Sequence, residues 1–138
     1  MTATAEPLAL VQRYYDRFNA GDWPGMIELL ADDVVHDVNQ GGREIGRAAF
    51  ADFVHRMARA YRERLVDIAL FAGPDGRVAA ELVVEGEYLA GDPGFPKAYG
   101  QRYRLPAGAF LETQGGRITR VTTYYNVKSW LTQIEEPG

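Results

Sequence analysis

The segment His36-Asp37-Val38-Asn39-Gln40-Gly41 is the most polar strand-like stretch of the chain, with an imidazole, a carboxyl group and two carboxamides in succession. A strand alternates its faces, so His36, Val38 and Gln40 share one side and Val35, Asp37 and Asn39 the other. Imidazole titrates near neutral pH, and an inward His36 can act as general acid or base. A bulge would instead turn Asp37 or Asn39 inward. The competing reading is a histidine bonded to backbone or lying on the surface. Glu81 stands among Val78-Ala79-Ala80 and Leu82-Val83-Val84. Facing a pocket, it would lose water, its pKa would rise, and it would become a base or an acid. Facing outward, it is a solvated charge or a salt bridge. Glu85 and Glu87 share its parity, and three carboxylates on one pocket wall repel, which favours the outward reading for at least part of the row. Tyr14 offers a phenol that can donate to a carbonyl or an oxyanion, or that simply packs in a helix beside Tyr15 and Phe18.

Aromatic residues crowd the end of the chain: Tyr99, Tyr103, Phe110, Tyr124, Tyr125 and Trp130. Arg102 and Arg104 alternate with Gln101, Tyr103 and Leu105, which sends the second set inward. Such residues form a core, or they line a pocket for an apolar ring system that carries an oxygen. The candidate ligand contacts are Asn39, Tyr61, Tyr103, Tyr125 and Trp130. No metal site is expected, because the chain has two histidines, His36 and His55, and no cysteine. No phosphate-binding glycine motif occurs, and no cofactor is expected.

These side chains need a scaffold, and the hydrophobic pattern supplies one. Leu8, Val11, Tyr15 and Phe18 recur at helical spacing, so residues 6–20 read as an amphipathic helix stopped by Asn19-Ala20-Gly21. Asp22 is placed to cap a second helix, with Pro24 in its first turn. Asp32-Asp33 is expected to end that helix, and a short strand follows from Val34 to Asn39. Phe50, Phe53, Val54, Met57 and Tyr61 put a third helix on one apolar face, with arginines opposite. Then come strands. Val66, Ile68 and Leu70 alternate, Gly73-Pro74-Asp75-Gly76 turns, and residues 77–89, 99–113 and 117–126 are long strands. Asn126 to Ile134 reads as a short closing helix. Three helices with one strand inserted, followed by a four-stranded meander, describe one α+β domain over residues 1–138.

The 138 residues carry a net charge of −4, with 46% hydrophobic and 25% charged residues, an ordinary globular balance. Arg56, Arg59, Arg62 and Arg64 read as the wet face of a helix, so no nucleic-acid partner is expected. Met1 to Glu6 holds neither a basic residue nor an apolar run, and no stretch is long and apolar enough for a membrane span. A cytoplasmic protein is the expectation.

Val11-Gln12-Arg13-Tyr14, Asn19-Ala20-Gly21-Asp22, Leu30-Ala31-Asp32-Asp33 and Gly46-Arg47-Ala48-Ala49-Phe50, with the four-strand tail, resemble the nuclear transport factor 2-like (NTF2-like) superfamily. That superfamily includes ketosteroid isomerases, SnoaL-type polyketide cyclases and limonene epoxide hydrolase. The resemblance implies a cone: three N-terminal helices packed on a curved antiparallel sheet that encloses a pocket. It also implies a homodimer through the sheet. In true ketosteroid isomerases an Asp base ends the first strand, and a Tyr with a protonated Asp forms the oxyanion site. Tyr14 matches the Tyr. Val38 falls at the base position and Gly108 near the second Asp, so steroid isomerisation is not implied. Alignment of Val38 with the missing base puts His36 on the pocket face.

Two functions follow. One is a cofactor-independent enzyme that moves a proton on a small apolar carbonyl or polyketide-like compound. His36 or Asp37 would be its base, Tyr14 its oxyanion donor, and Glu81 a second acid or an orienting group. The other is a non-catalytic module that binds a small molecule or dimerises. An epoxide hydrolase would need an Asp-Arg-Asp set, which the sequence does not assemble.

Overall fold

The computed structural model describes residues 5–39 and 41–135. Gln40, grouped above with His36, lies outside the described residues. Helix α1 (Ala5–Asn19) buries Leu10, Val11, Tyr14 and Tyr15. Helix α2 (Trp23–Glu28) is one short turn-and-a-half, capped by the Asp22 side chain, which accepts from the Gly25 N–H. Strands β1 (Leu30–Asp37) and β2 (Arg43–Ile45) follow, then helix α3 (Arg47–Ala60). Four strands succeed it: β3 (Tyr61–Ala72), β4 (Arg77–Tyr88), β5 (Gln101–Gln114) and β6 (Arg117–Tyr125). Helix α4 (Val127–Ile134) closes the described chain, with Asn126 accepting from the Ser129 N–H as its cap.

The layout differs from the expected three N-terminal helices and single inserted strand: among the described residues α2 has only six residues and two strands, not one, separate it from α3. The late helix α4 falls where the short closing helix was expected. The sheet also is not wholly antiparallel. Its order is β2-β1-β6-β5-β4-β3, and β1 runs parallel to β6. Hairpin turns force antiparallel pairing only between strands adjacent in sequence. β1 and β6 are separated by α3 and four strands, so no turn dictates their direction. What was read as the end of α2 is already strand: Asp32 and Asp33 are the exposed part of β1, between buried Leu30 and Val34.

β4 and β5 pair without interruption from Arg77↔Glu112 to Tyr88↔Gln101. Along β4, Val78, Ala80, Leu82, Val84 and Tyr88 are buried, while Glu81 and Glu85 are exposed. Leu111, Ala109, Ala107 and Leu105 are the buried β5 partners of the first four, and Tyr103 is buried on the same face. The helices cover this inner face, and Val11, Leu30, Val34, Ile118 and Ile134 are among the most deeply buried side chains.

Two carboxamides finish sheet edges. β3 is an edge strand, and Asn19, at the end of α1, donates to the Leu65 carbonyl (2.9 Å) and accepts from the Leu65 N–H (2.8 Å). It stands in for a neighbouring strand, and one residue supplies both a donor and an acceptor. Just beyond, the β3–β4 register shifts between Val66 and Ala69, and Asp67 takes φ 54°, the geometry of a bulge. On β5, pairing to β6 begins at Ala107. In the stretch before it, Gln133 of α4 accepts from the Arg104 N–H (2.8 Å) and donates to the Arg104 carbonyl (3.1 Å). These bonds seat α4 over the end of the sheet.

Glycine is required at position 86 for a close approach. Gly86 pairs with Glu63 on one side and with Tyr103 on the other. A Cβ there would overlap the Tyr103 ring, which crosses β4 over the gap that Gly86 leaves.

Both contacts can be tested by their effect on stability. Asn19→Ala removes both edge bonds and is expected to cost about 1–2 kcal/mol in urea unfolding; unchanged stability would show the edge to be equally well served by water. Gly86→Ala forces the Tyr103 ring aside and is expected to cost about 1–3 kcal/mol, whereas Gly91→Ala, at a position with open space around it, should unfold like the parent.

Candidate functional site

Between the inner sheet face and the helices lies a cavity of about 560 Å³, within the range that suits a small organic ligand. Tyr14, His36, Asn39, Tyr61, Glu63 and Trp130 are among its lining residues. The wall is mostly carbon, with a few polar groups spaced along it.

His36 is 8% exposed. The β1 alternation turns it inward with Val34, as Val38 at the missing-base position implied. Its ring packs against Phe50 and Phe53, at centroid separations of 5.0 and 4.6 Å. Its Nδ1 faces Glu44 Oε1 at 3.6 Å across the β1–β2 pair, too far for a hydrogen bond. Neither atom has another partner among the described residues. Burial lowers the imidazole pKa, and the Glu44 carboxylate, with Asp37 nearby, recovers only part of that loss. His36 is therefore a neutral base in a mostly apolar wall.

Asp37 borders the cavity, but its carboxylate is held elsewhere. Arg43 binds it through two hydrogen bonds (2.7 and 3.1 Å), and Arg120 adds a third (2.9 Å). The Arg43 hydrogen bonds first, with Arg120 adding to them, bring its pKa down to about 2 and outweigh the opposing desolvation. So strongly held an anion is a poor proton acceptor near neutral pH. The base expected at His36 or Asp37 thus reduces to His36. Arg120 also reaches Glu112 (3.4 Å), which makes a carboxylate–arginine–carboxylate chain. The sequence did not reveal that chain. Arg120 and Glu112 alternate with buried Val121 and Leu111, so it lies on the outer face, away from the cavity.

Glu81 is a correction. It is exposed on the outer face of β4, beside a shallow groove formed with Phe71, Pro106 and Tyr124. The unbroken β4–β5 pairing leaves no bulge to turn it inward, so it takes no part in the cavity's chemistry. Glu85 and Glu87 face the same way and meet Arg104 (3.6 Å) and Arg62 (3.7 Å).

Tyr14 is buried on α1 and lines the cavity, and its hydroxyl has no hydrogen-bond partner among the described residues. Burial, with Tyr15 alongside, raises its pKa far above the usual phenol value. It keeps its proton and has that O–H to donate. Asn39 donates to the Tyr125 carbonyl (3.0 Å) and so joins β1 to the end of β6. The Tyr61 hydroxyl donates to Asp92 (2.8 Å). Tyr61, Tyr125 and Trp130 form one end of the cavity, with Tyr61 and Tyr125 at 5.7 and 6.3 Å from the Trp130 ring. Tyr103 is not itself on the cavity wall. Its hydroxyl donates to Glu63 (2.5 Å).

Glu63 is the residue that the sequence reading missed. It lines the cavity, and burial pushes its pKa up while the Tyr103 hydroxyl pulls it partly back. The apolar helical pattern ran through Tyr61 and the arginines continued to Arg64, so Glu63 looked like part of a wet helix face. In the structure β3 already begins at Tyr61. The strand alternation Tyr61-Glu63-Leu65 was the available signal.

The SnoaL-like domain model matches residues 11–121. A crystal structure of a Xanthomonas campestris protein, provisionally named a polyketide cyclase, is 52% identical. It covers 97% of this chain and 100% of that one, with a TM-score of 0.94. A Pseudomonas putida protein with the same provisional name is 53% identical over 97% and 98% of the two chains, with a TM-score of 0.90. An NTF2-like protein from Burkholderia xenovorans shares the fold at 14% identity, over 98% and 100% of the chains, with a TM-score of 0.77. No curated protein matches the chain. The matched model spans most of the sequence, from α1 into β6, and the chain belongs to the SnoaL-like domain family.

Proposed function

We propose that the protein is a cofactor-independent enzyme that transfers a proton on a small apolar carbonyl or polyketide-like compound. The observation that carries this reading is His36, a neutral imidazole in the cavity wall with Nδ1 turned toward a carboxylate. Glu44 favours the tautomer with the proton on Nδ1 and steadies the imidazolium that forms later. Nε2 is then the atom left to take a proton from a carbon beside a carbonyl. Tyr14, still protonated and with its hydroxyl uncommitted, supplies a hydrogen bond to the oxygen where negative charge develops. The apolar wall strengthens both interactions by keeping water away. The names of the two relatives above half identity point toward the same substrate class.

A second reading concerns the outer face of the sheet. Phe71, Phe110 and Tyr124 are 56%, 50% and 52% exposed, and Phe110 packs edge-on against Tyr124 at 6.0 Å. Large aromatic groups gathered on an exposed sheet face mark an interaction surface, and the occupant we assign is a second copy of this chain.

Exchange of the α-protons of a cyclic ketone for deuterium, followed by NMR, tests the chemistry. The intact protein is expected to catalyse exchange, with the rate falling only below pH 6.5 because burial lowers the His36 pKa. His36→Ala should lose roughly 10²–10⁴ in rate together with that acid limb. No exchange across a panel of ketones, or an unchanged profile in His36→Ala, contradicts the assignment. For the outer face, light scattering at micromolar concentration should give the mass of a dimer, and Phe110→Glu should give a monomer. A monomeric parent removes the second reading.

A further inference from the structure

Glu63 has no cation to pair with among the described residues. The other ionisable side chains that line the cavity, besides the tyrosines, are His36, Asp37 and Arg62. His36 is neutral, Asp37 is bound by two arginines, and Arg62 points outward to Glu87 with most of its side chain in solvent. The groups that share Glu63's electrostatic field are Tyr61, Tyr103 and Tyr125, all phenols held in their protonated form. A desolvated carboxyl group with only a phenol as partner has two ways to remove the cost of its charge. It takes up a proton, or it binds a cation.

The surroundings select the kind of cation. No group of three or more acidic or histidine side chains suited to a metal occurs among the described residues, and one carboxylate with carbon walls is not a metal site. Glu63 shares its end of the cavity with the rings of Tyr61, Tyr125 and Trp130. The Trp130 ring lies at 59° to Tyr61 and 85° to Tyr125, so the rings form angled walls and not a stack. The hydroxyls of Tyr61 and Tyr103 are already bonded, to Asp92 and Glu63. Tyr61 stacks one face on Tyr88 at 5.1 Å; the parts of the Tyr61, Tyr125 and Trp130 rings that line the cavity are left to meet a ligand, and aromatic π-systems attract a diffuse, weakly hydrated positive charge. We infer that this end of the cavity is a receptor site for an organic ammonium group, ion-paired with Glu63 and walled by Tyr61, Tyr125 and Trp130. This inference does not depend on the proton-transfer reading.

Calorimetry with tetramethylammonium and with neopentyl alcohol, an uncharged compound of similar bulk, tests it on the intact protein. The cation is expected to bind saturably and about tenfold more tightly than the alcohol, and Glu63→Gln should remove that advantage while leaving the alcohol's affinity unchanged. Circular dichroism and thermal unfolding establish that the variant is folded. If the variant does not fold, the ratio of the two affinities in the parent decides the matter alone. Equal affinities, no binding of the cation, or a cation affinity that survives Glu63→Gln overturns the assignment.

Discussion

The pairing of β4 with β5 sets the phase of the whole inner face. Because it runs unbroken from Arg77↔Glu112 to Tyr88↔Gln101, one choice of parity decides which side chains meet the helices. Val78, Ala80, Leu82 and Val84 go in, and Glu81 and Glu85 go out. The same parity passes to β3 through Leu65↔Val84, Glu63↔Gly86 and Tyr61↔Tyr88. A row of three residues, Glu63, Gly86 and Tyr103, therefore lies straight across three strands. The middle one has no side chain, so the phenol of the third reaches the carboxyl group of the first. A one-residue slip would replace that row with exposed charges and turn the apolar wall into solvent.

Two polar foci share the cavity, and their physics differs. At His36, desolvation keeps an imidazole neutral, and the Glu44 carboxylate at 3.6 Å biases its tautomer without charging it. At Glu63, desolvation works against the ionised form, and only the Tyr103 hydroxyl supports it. In both cases the apolar wall raises the stakes of each polar contact. Asp37 shows the contrary case. It is adjacent in sequence to His36 but points to the other face of β1, where Arg43 and Arg120 hold it as a permanent anion. One strand thus presents a neutral base to the cavity and a fixed charge to the outside.

Much of this was legible in the sequence. The apolar spacing of α1, the Asp22 and Asn126 caps, the turn at Gly73-Pro74-Asp75-Gly76 and the three long strands are local features, written in residues near one another. The inward Tyr103 and Leu105 followed from period-two alternation, and the inward His36 from that alternation once the family resemblance set Val38 at the base position. The failures have physical causes. Glu81 required a choice of parity, and the signal within β4 was the row it shares with Glu85 and Glu87, whose mutual repulsion favours the wet face. Glu63 sat at a junction where a 3.6-residue period hands over to a period of two, and helical spacing ran through Tyr61 by coincidence. Asp32 and Asp33 looked like a helix stop, though they are the wet part of a strand. The parallel β1–β6 pair joins segments far apart in sequence, beyond the reach of any local pattern.

A carboxyl group held in a mostly apolar wall by a single phenol is the central claim, and a carbon-13 NMR titration of the Glu63 side chain addresses it most directly. The structure predicts a midpoint above the ordinary glutamate value of 4.5, and Tyr103→Phe should raise it further by removing the one group that favours the anion. A midpoint at or below 4.5 would mean that Glu63 is solvated or paired with a cation of the protein, which contradicts a desolvated acid in the cavity wall.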